Sequence, residues 1–268
     1  MLAAYLRQRI EVGEGRIVLE AAAHPRPAAD TPPREATDGL REEGASSGVE
    51  AAEPAWRRGA PEIPPPGLVI PAPSNDVSAA ALLADRSLAE VAGLICECAK
   101  CGLCQGRKQA VPGEGPPDAR LMVVGEGPGA TEDETGRPFV GRAGDLLTEI
   151  LAAIEYPREK VFICNIVKCR PPGNRVPQPE EIDACVPYLY RQIDLVRPAV
   201  ILAMGGTAAV TLLHTKQSLG ALRERVHSFR GIPLVVTYHP AALLRNPLWK
   251  KPTWDDVRIA RRLLGDDR

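Results

Sequence analysis

The chain has 268 residues, of which 44% are hydrophobic and 25% charged, with a formal net charge of −1. That length allows one sizeable core with tails. No apolar run approaches the roughly 20 residues that a membrane span needs, and the opening MLAAYLRQRIEV lacks the apolar stretch and cleavage site of a secretory signal. The neutrality hides an asymmetry: residues 91–268 carry 24 Lys+Arg and 20 Asp+Glu, leaving 9 and 14 of the chain's 33 and 34 to residues 1–90. A mildly basic body behind an acidic segment permits nucleic-acid binding without requiring it.

Residues 1–20 read as a short helix with a polar tail. From Ala21 to Ser78 the chain is rich in Pro, Ala, Gly and Glu, as in PAADTPPREATDGLREEG and PEIPPPGLVIPAPS. Such a composition buries too little apolar surface to offset its ordering entropy. Residues 1–77 are therefore expected to be a disordered segment after that helix, a spacer with no specific partner and polyproline character around Pro64–Pro66. Order is expected from 78 to 268. A helical pattern runs from Val77 to Ile95, with Leu82, Leu83, Leu88 and Val91 on its apolar face.

Strands and helices then alternate. LMVVGE (121–126), VFICNIV (161–167), AVILAMG (199–205) and PLVVTYH (233–239) are short, near-continuous apolar runs, as in strands buried on both faces of a parallel sheet. Helical patterns cover 143–154, 179–196, 207–213 and 254–264. The expected fold class is α/β: a three-layer α/β/α sandwich with four parallel strands and right-handed crossovers. In open sheets of this kind ligands bind beyond the carboxyl ends of the strands. Those ends carry GEGPG, Asn165 with KCRPP, MGGT and YHPAALLRNP.

The first end raises a specific question. LMVVGEGPGATEDETGRPFVGRAG passes from strand to Gly-rich turn to helix, which usually suggests phosphate or dinucleotide. GEGPG is not a complete G-x-G-x-x-G, and Glu126, Glu132, Asp133 and Glu134 crowd the turn. The loop is shaped for close backbone approach, but its charge repels a phosphate. A neutral, flat base fits better than a dinucleotide.

Seven cysteines are present, four of them in CECAKCGLC. In a chain without a signal peptide this crowding reads as metal or cluster ligation rather than a disulfide framework. Both Cys98–Cys101 and Cys101–Cys104 have C-x2-C spacing, and Cys169 and Cys185 form a second, wider pair. Zinc and iron–sulfur clusters both accept four thiolates; the width of the second pair favours a cluster. Cys164, inside an apolar strand, reads as a bystander.

GEGPGATEDETGRPFVGRAG, ICNIVKCRPPGNR and YHPAALLRNP, in this order and spacing, resemble the family 4 uracil-DNA glycosylases, the iron–sulfur branch of the uracil-DNA glycosylase superfamily. The resemblance covers about Cys98 to Leu264. It implies a monomeric, cytoplasmic, prokaryotic base-excision repair enzyme that acts on uracil-containing chromosomal DNA and leaves an abasic site. Cys98, Cys101, Cys169 and Cys185 would ligate a 4Fe–4S cluster, with Cys104 an extra. Phe139 would stack on a flipped uracil, Asn165 would read its edge through an amide that both donates and accepts, and His239 would donate a hydrogen bond to the departing base. The turn containing Gly127 and Pro128 would bind uracil and water. The strictest enzymes of the superfamily carry Asp where this chain has Gly127, which leaves Glu126, Glu132 or Asp133 as the substitute carboxylate, or a dissociative reaction. Arg170, Arg175, Arg245 and Lys168 would meet phosphates, and Leu243, with Leu244 beside it, would fill the vacated base position.

Three rivals are weighed. A relative that binds uracil-DNA covalently does so through a His in an inserted basic loop, and KCRPPGNRVPQPEE has neither. A dinucleotide-dependent enzyme conflicts with the acidic turn. A catalytically inactive iron–sulfur nucleic-acid-binding protein would share every motif and differ only in releasing no base.

Overall fold

A computed structural model describes residues 53–71, 83 and 85–265. The expected helix over 1–20, the expected disorder up to residue 52 and most of 72–84 lie outside the described residues. Within them six strands form one sheet: β1 (Pro66–Ile70), β2 (Leu121–Gly125), β3 (Val161–Asn165), β4 (Val200–Met204), β5 (Val226–Phe229) and β6 (Ile232–Thr237), in the order β1-β5-β6-β4-β2-β3. The four expected strands are β2, β3, β4 and β6, and their pairings are parallel.

Eight α-helices accompany them among the described residues: α1 (Leu88–Cys96), α2 (Ala130–Thr135), α3 (Arg142–Ala153), α4 (Pro179–Val196), α5 (Gly206–Leu212), α6 (Leu219–Leu222), α7 (Pro240–Arg245) and α8 (Lys250–Leu264). β2, β3 and β4 are buried on both faces and their side chains alternate between two cores. Met122 and Val124 pack with Tyr188, Leu189 and Ile193 of α4. Leu121 and Val123 pack with Leu147 and Leu151 of α3 and Val257 and Ala260 of α8. The period-2 alternation therefore builds the three layers.

The count of four strands is corrected to six. β5 and β6 form an antiparallel hairpin across Arg230 and Gly231, both at positive φ (51° and 82°), the conformation of a tight turn whose twist matches its strands. The hairpin's first strand, VHSF, is too short and too polar to stand out as an apolar run. β1 lies inside the Pro-rich stretch expected to be disordered and pairs parallel with β5.

Residues 54–71 belong to the fold. Trp56 is buried in the α3–α8 core with the Arg261 guanidinium 4.7 Å from its ring centroid. Arg258 donates to the Arg58 carbonyl at 3.0 Å. His227 in β5 locks the edge strand: its Nδ1 accepts from the Leu68 N–H at 2.9 Å, which leaves the proton on Nε2 to donate to the Leu222 carbonyl at 2.7 Å. Composition counted the prolines and missed one buried tryptophan and a three-residue apolar run, Leu68–Ile70.

Candidate active site

A cleft of about 450 Å³ opens at the carboxyl ends of β2, β3, β4 and β6. Its walls include Glu126–Gly129 after β2, Asn165 at the end of β3, Gly205 after β4 and Tyr238–His239 after β6. The parallel register sets Asn165 beside Gly125. The Asn165 side chain is buried, and its Oδ1 has no partner among the described residues. A buried, unpaired amide oxygen carries an unmet desolvation cost of about 1–3 kcal/mol, which a ligand with an N–H donor would relieve.

Gly125 makes room for this amide: a Cβ there would lie 2.4 Å from Asn165 Oδ1 and 2.6 Å from Phe139 Cζ. The Asn165 backbone is held from behind by Lys168, whose Nζ donates to the Asn165 carbonyl at 2.8 Å and to Gln192 Oε1 at 2.7 Å.

Phe139 is brought to the cleft by a strained turn. Its φ is +50°, and its carbonyl accepts from Arg158 Nη1 at 2.8 Å. Gly144 admits that carbonyl, since a Cβ there would meet it at 1.9 Å. Arg158 also pairs with Glu114 at 2.6 Å; burial opposes the Glu114 charge, but hydrogen bonds from Arg137 and Arg158 hold its carboxyl below its usual range. The Phe139 and His239 rings stack at 5.3 Å and 29°.

His239 is the N-cap of α7. Its Nδ1 accepts from the Ala241 N–H at 3.2 Å, so a neutral ring carries its proton on Nε2. Burial, then the Arg245 charge, push its pKa down to about 4 against an opposing pull from Glu132. His239 is thus a neutral hydrogen-bond donor at ordinary pH.

The carboxylates divide. Glu126 lines the cleft and accepts from Thr207 Oγ1 at 2.5 Å. Glu132 also lines it, but its oxygens are taken by the N–H groups of Gly129, Val140 and Gly141. Asp133, expected as a catalytic candidate, is corrected: its buried carboxylate accepts from the Lys108 N–H at 2.9 Å and anchors a turn outside the cleft. At Gly127 a Cβ would sit 2.8 Å from Val167 Cγ2, so an Asp there requires Val167 to move. Pro128 lines the cleft beside it.

The expected DNA contacts also divide. Arg245 is exposed at the rim. Arg175 lines the cleft and pairs bidentately with Glu181 at 2.6 and 2.9 Å. Arg170 donates to Asn174 Oδ1 at 2.8 Å. Lys168 is buried, so its expected phosphate contact is corrected to the internal role above. Leu243, expected as the wedge, is buried in the body, whereas Leu244 is 40% exposed and faces out; the order of the two is reversed. Sequence reasoning missed Arg158, Glu114 and Thr207, each distant in sequence from the group it positions.

Five cysteines, Cys98, Cys101, Cys104, Cys169 and Cys185, border a second cavity together with Lys168 and Tyr188. Arg107 donates to Cys169 Sγ at 3.0 Å and to the carbonyls of Cys98 and Cys96, and the Lys168 N–H donates to Cys185 Sγ at 3.3 Å. Burial raises the Cys169 pKa against the pull of Arg107 and lifts Cys185 to about 12. Among the described residues no three donors converge tightly enough to hold a single ion. Cys164 is buried within β3 and Cys96 is exposed.

The model of the uracil DNA glycosylase superfamily matches residues 112–260. The chain belongs to this superfamily. It is 49% identical over 162 residues to the type-4 uracil-DNA glycosylase of Pyrobaculum aerophilum, covering 58% of this chain and 83% of that one. The type-4 enzyme of Thermotoga maritima is 49% identical over 152 residues, 56% and 79% of the two chains, and that of Sulfurisphaera tokodaii 42% over 191, 66% and 84%. The matched span includes Asn165, Phe139 and His239. Among the described residues no helix is long and apolar enough to cross a membrane.

Proposed function

We propose that this cleft excises uracil from DNA, hydrolysing the N-glycosidic bond and leaving an abasic site. The observation that carries the reading is Asn165: a buried amide with an unpaired Oδ1 in the cleft that Phe139 and the neutral imidazole of His239 also line. Oδ1 accepts the uracil N3–H and Nδ2 donates to O4. Cytosine opposes both groups, and a site built on such pairing rejects the wrong partner strongly. Phe139 supplies the flat apolar wall for the flipped base.

As the C1′–N1 bond breaks, its electron pair leaves with uracil, and His239 Nε2–H stabilises the charge on O2. Water adds to the cationic C1′ and gives its proton to Glu126, the carboxylate in the cleft that is not consumed by backbone N–H groups. Arg245 and Arg175 meet phosphates and Leu244 fills the gap in the stack. Cys98, Cys101, Cys169 and Cys185 would hold a 4Fe–4S cluster, with Cys104 beside it. Buried thiols receiving N–H donors suit such a group, which would act as a cross-link between the segment after α1, the loop after β3 and α4.

The test is incubation with oligonucleotides bearing U:G, U:A or unpaired U, followed by alkaline cleavage. Strand breaks at uracil are expected. Tight binding without breaks would instead favour the inactive nucleic-acid-binding reading.

A further inference from the structure

Tyr238, next to His239, joins Trp249 and Arg223 in a three-part cluster. Its ring lies on that of Trp249 with centroids 4.6 Å apart and planes 6° from parallel. The Arg223 guanidinium sits 4.5 Å from the same Tyr238 centroid. Trp249 and Arg223 thus both pack against the Tyr238 ring. Arg223 cannot drift, because it donates to both oxygens of buried Asp256 at 2.7 and 3.1 Å and to the Pro252 carbonyl at 3.0 Å. Asp256 in turn accepts from Thr237 Oγ1 at 2.7 Å. The cluster is therefore anchored to β6 and α8 through Arg223, and Trp249 stacks on its Tyr238 ring.

Trp249 lines the cleft and, with one face covered by Tyr238, is still 37% exposed. Five large hydrophobic side chains are exposed among the described residues, and three of them, Leu244, Leu248 and Trp249, fall within six positions at this rim. Exposed Arg245 and Lys250 flank them. An apolar, aromatic ledge bordered by cations and continuous with a base-sized cleft matches a nucleotide strand: cations for phosphates, a ring for a base.

We infer that Trp249 is a stacking platform for the base next to the uracil on the same DNA strand. The inference rests on the glycosylase reading of the cleft. Stacking on Trp249 needs the neighbouring base to be free of its own stack, so the platform favours unpaired over duplex DNA. It is indifferent to base identity, because every base offers a π-face.

The experiment uses single-stranded oligonucleotides with a central uracil and either normal neighbours or an abasic analogue on the 5′ or the 3′ side. KM and kcat for excision, and Kd by fluorescence anisotropy, are measured for wild type, Trp249→Ala and Trp249→Phe. For wild type, an abasic neighbour on one of the two sides raises KM and Kd about tenfold, with kcat little changed. Trp249→Ala shows that rise on the normal substrate and no further rise with the analogue, while Trp249→Phe stays within about threefold of wild type because it keeps an aromatic face.

Equal Kd for wild type and Trp249→Ala overturns the platform. So does a loss in Trp249→Ala of the same size with and without the neighbouring base, since that is the mark of a structural role. Absence of excision by wild type would sink the glycosylase reading alone; the Kd comparison still decides the platform.

Discussion

At the scale of single residues, His239 makes a sharp pH statement. Its pKa is pushed down to about 4 from 6.5, so the neutral imidazole persists where an ordinary histidine is half charged. The excision rate should be flat from pH 8 to about 5 and fall only as pH approaches 4; an inflection near 6.5 would mean that the ring is not held neutral. The same shift has a stability consequence. As pH drops below 6.5 the unfolded chain binds the proton first, so the folded state loses stability between 6.5 and 4 and no more beyond. His239→Ala should remove that contribution and slow excision about a hundredfold or more, checked by pH-dependent melts and single-turnover rates. His239, Asn165 and Phe139 were legible because each lies in a distinctive block, two of them at strand ends and Phe139 in the turn before α3. Which leucine faces out was not: Leu243 and Leu244 are adjacent and alike, and only the packing of α7 tells them apart.

At the scale of elements, β2, β3, β4 and β6 were legible as apolar runs, and α4 was legible residue for residue. β1 and β5 were not. β1 offers only three apolar side chains, Leu68–Ile70, just after three prolines, and its partner lies some 160 positions away, beyond any local pattern. Composition argues that removal of residues 1–75 is harmless, but this deletion takes Trp56 and β1 with it. It should lower stability, and Trp56→Ala alone should cost about 3–5 kcal/mol, the usual loss for a large buried aromatic. Urea unfolding followed by circular dichroism measures this. An unchanged midpoint in Trp56→Ala would show that residues 54–71 do not contribute to the stable body.

At the scale of the whole molecule, the cysteine cavity and the base cleft are joined through the loop after β3. Lys168 touches Asn165 on one side, and its own N–H reaches Cys185 on the other. Purified protein should contain about four irons per chain with broad visible absorbance. Cys98→Ser should lose that colour and melt at lower temperature, whereas Cys104→Ser should keep both; the reverse would shift the ligand register by three residues. Sequence spacing could not choose between those registers, and all five thiols face one cavity in the fold.

The central claim is that Asn165 reads uracil in this cleft. Its most direct test is the single-turnover rate of uracil excision by Asn165→Asp against wild type, with matched melting temperatures. The carboxylate loses the donor to O4 and faces it with negative charge, so the rate should fall by at least about a hundredfold, in line with one or two buried polar mismatches of about 1–3 kcal/mol each. Excision at the wild-type rate would contradict the assignment of the pocket.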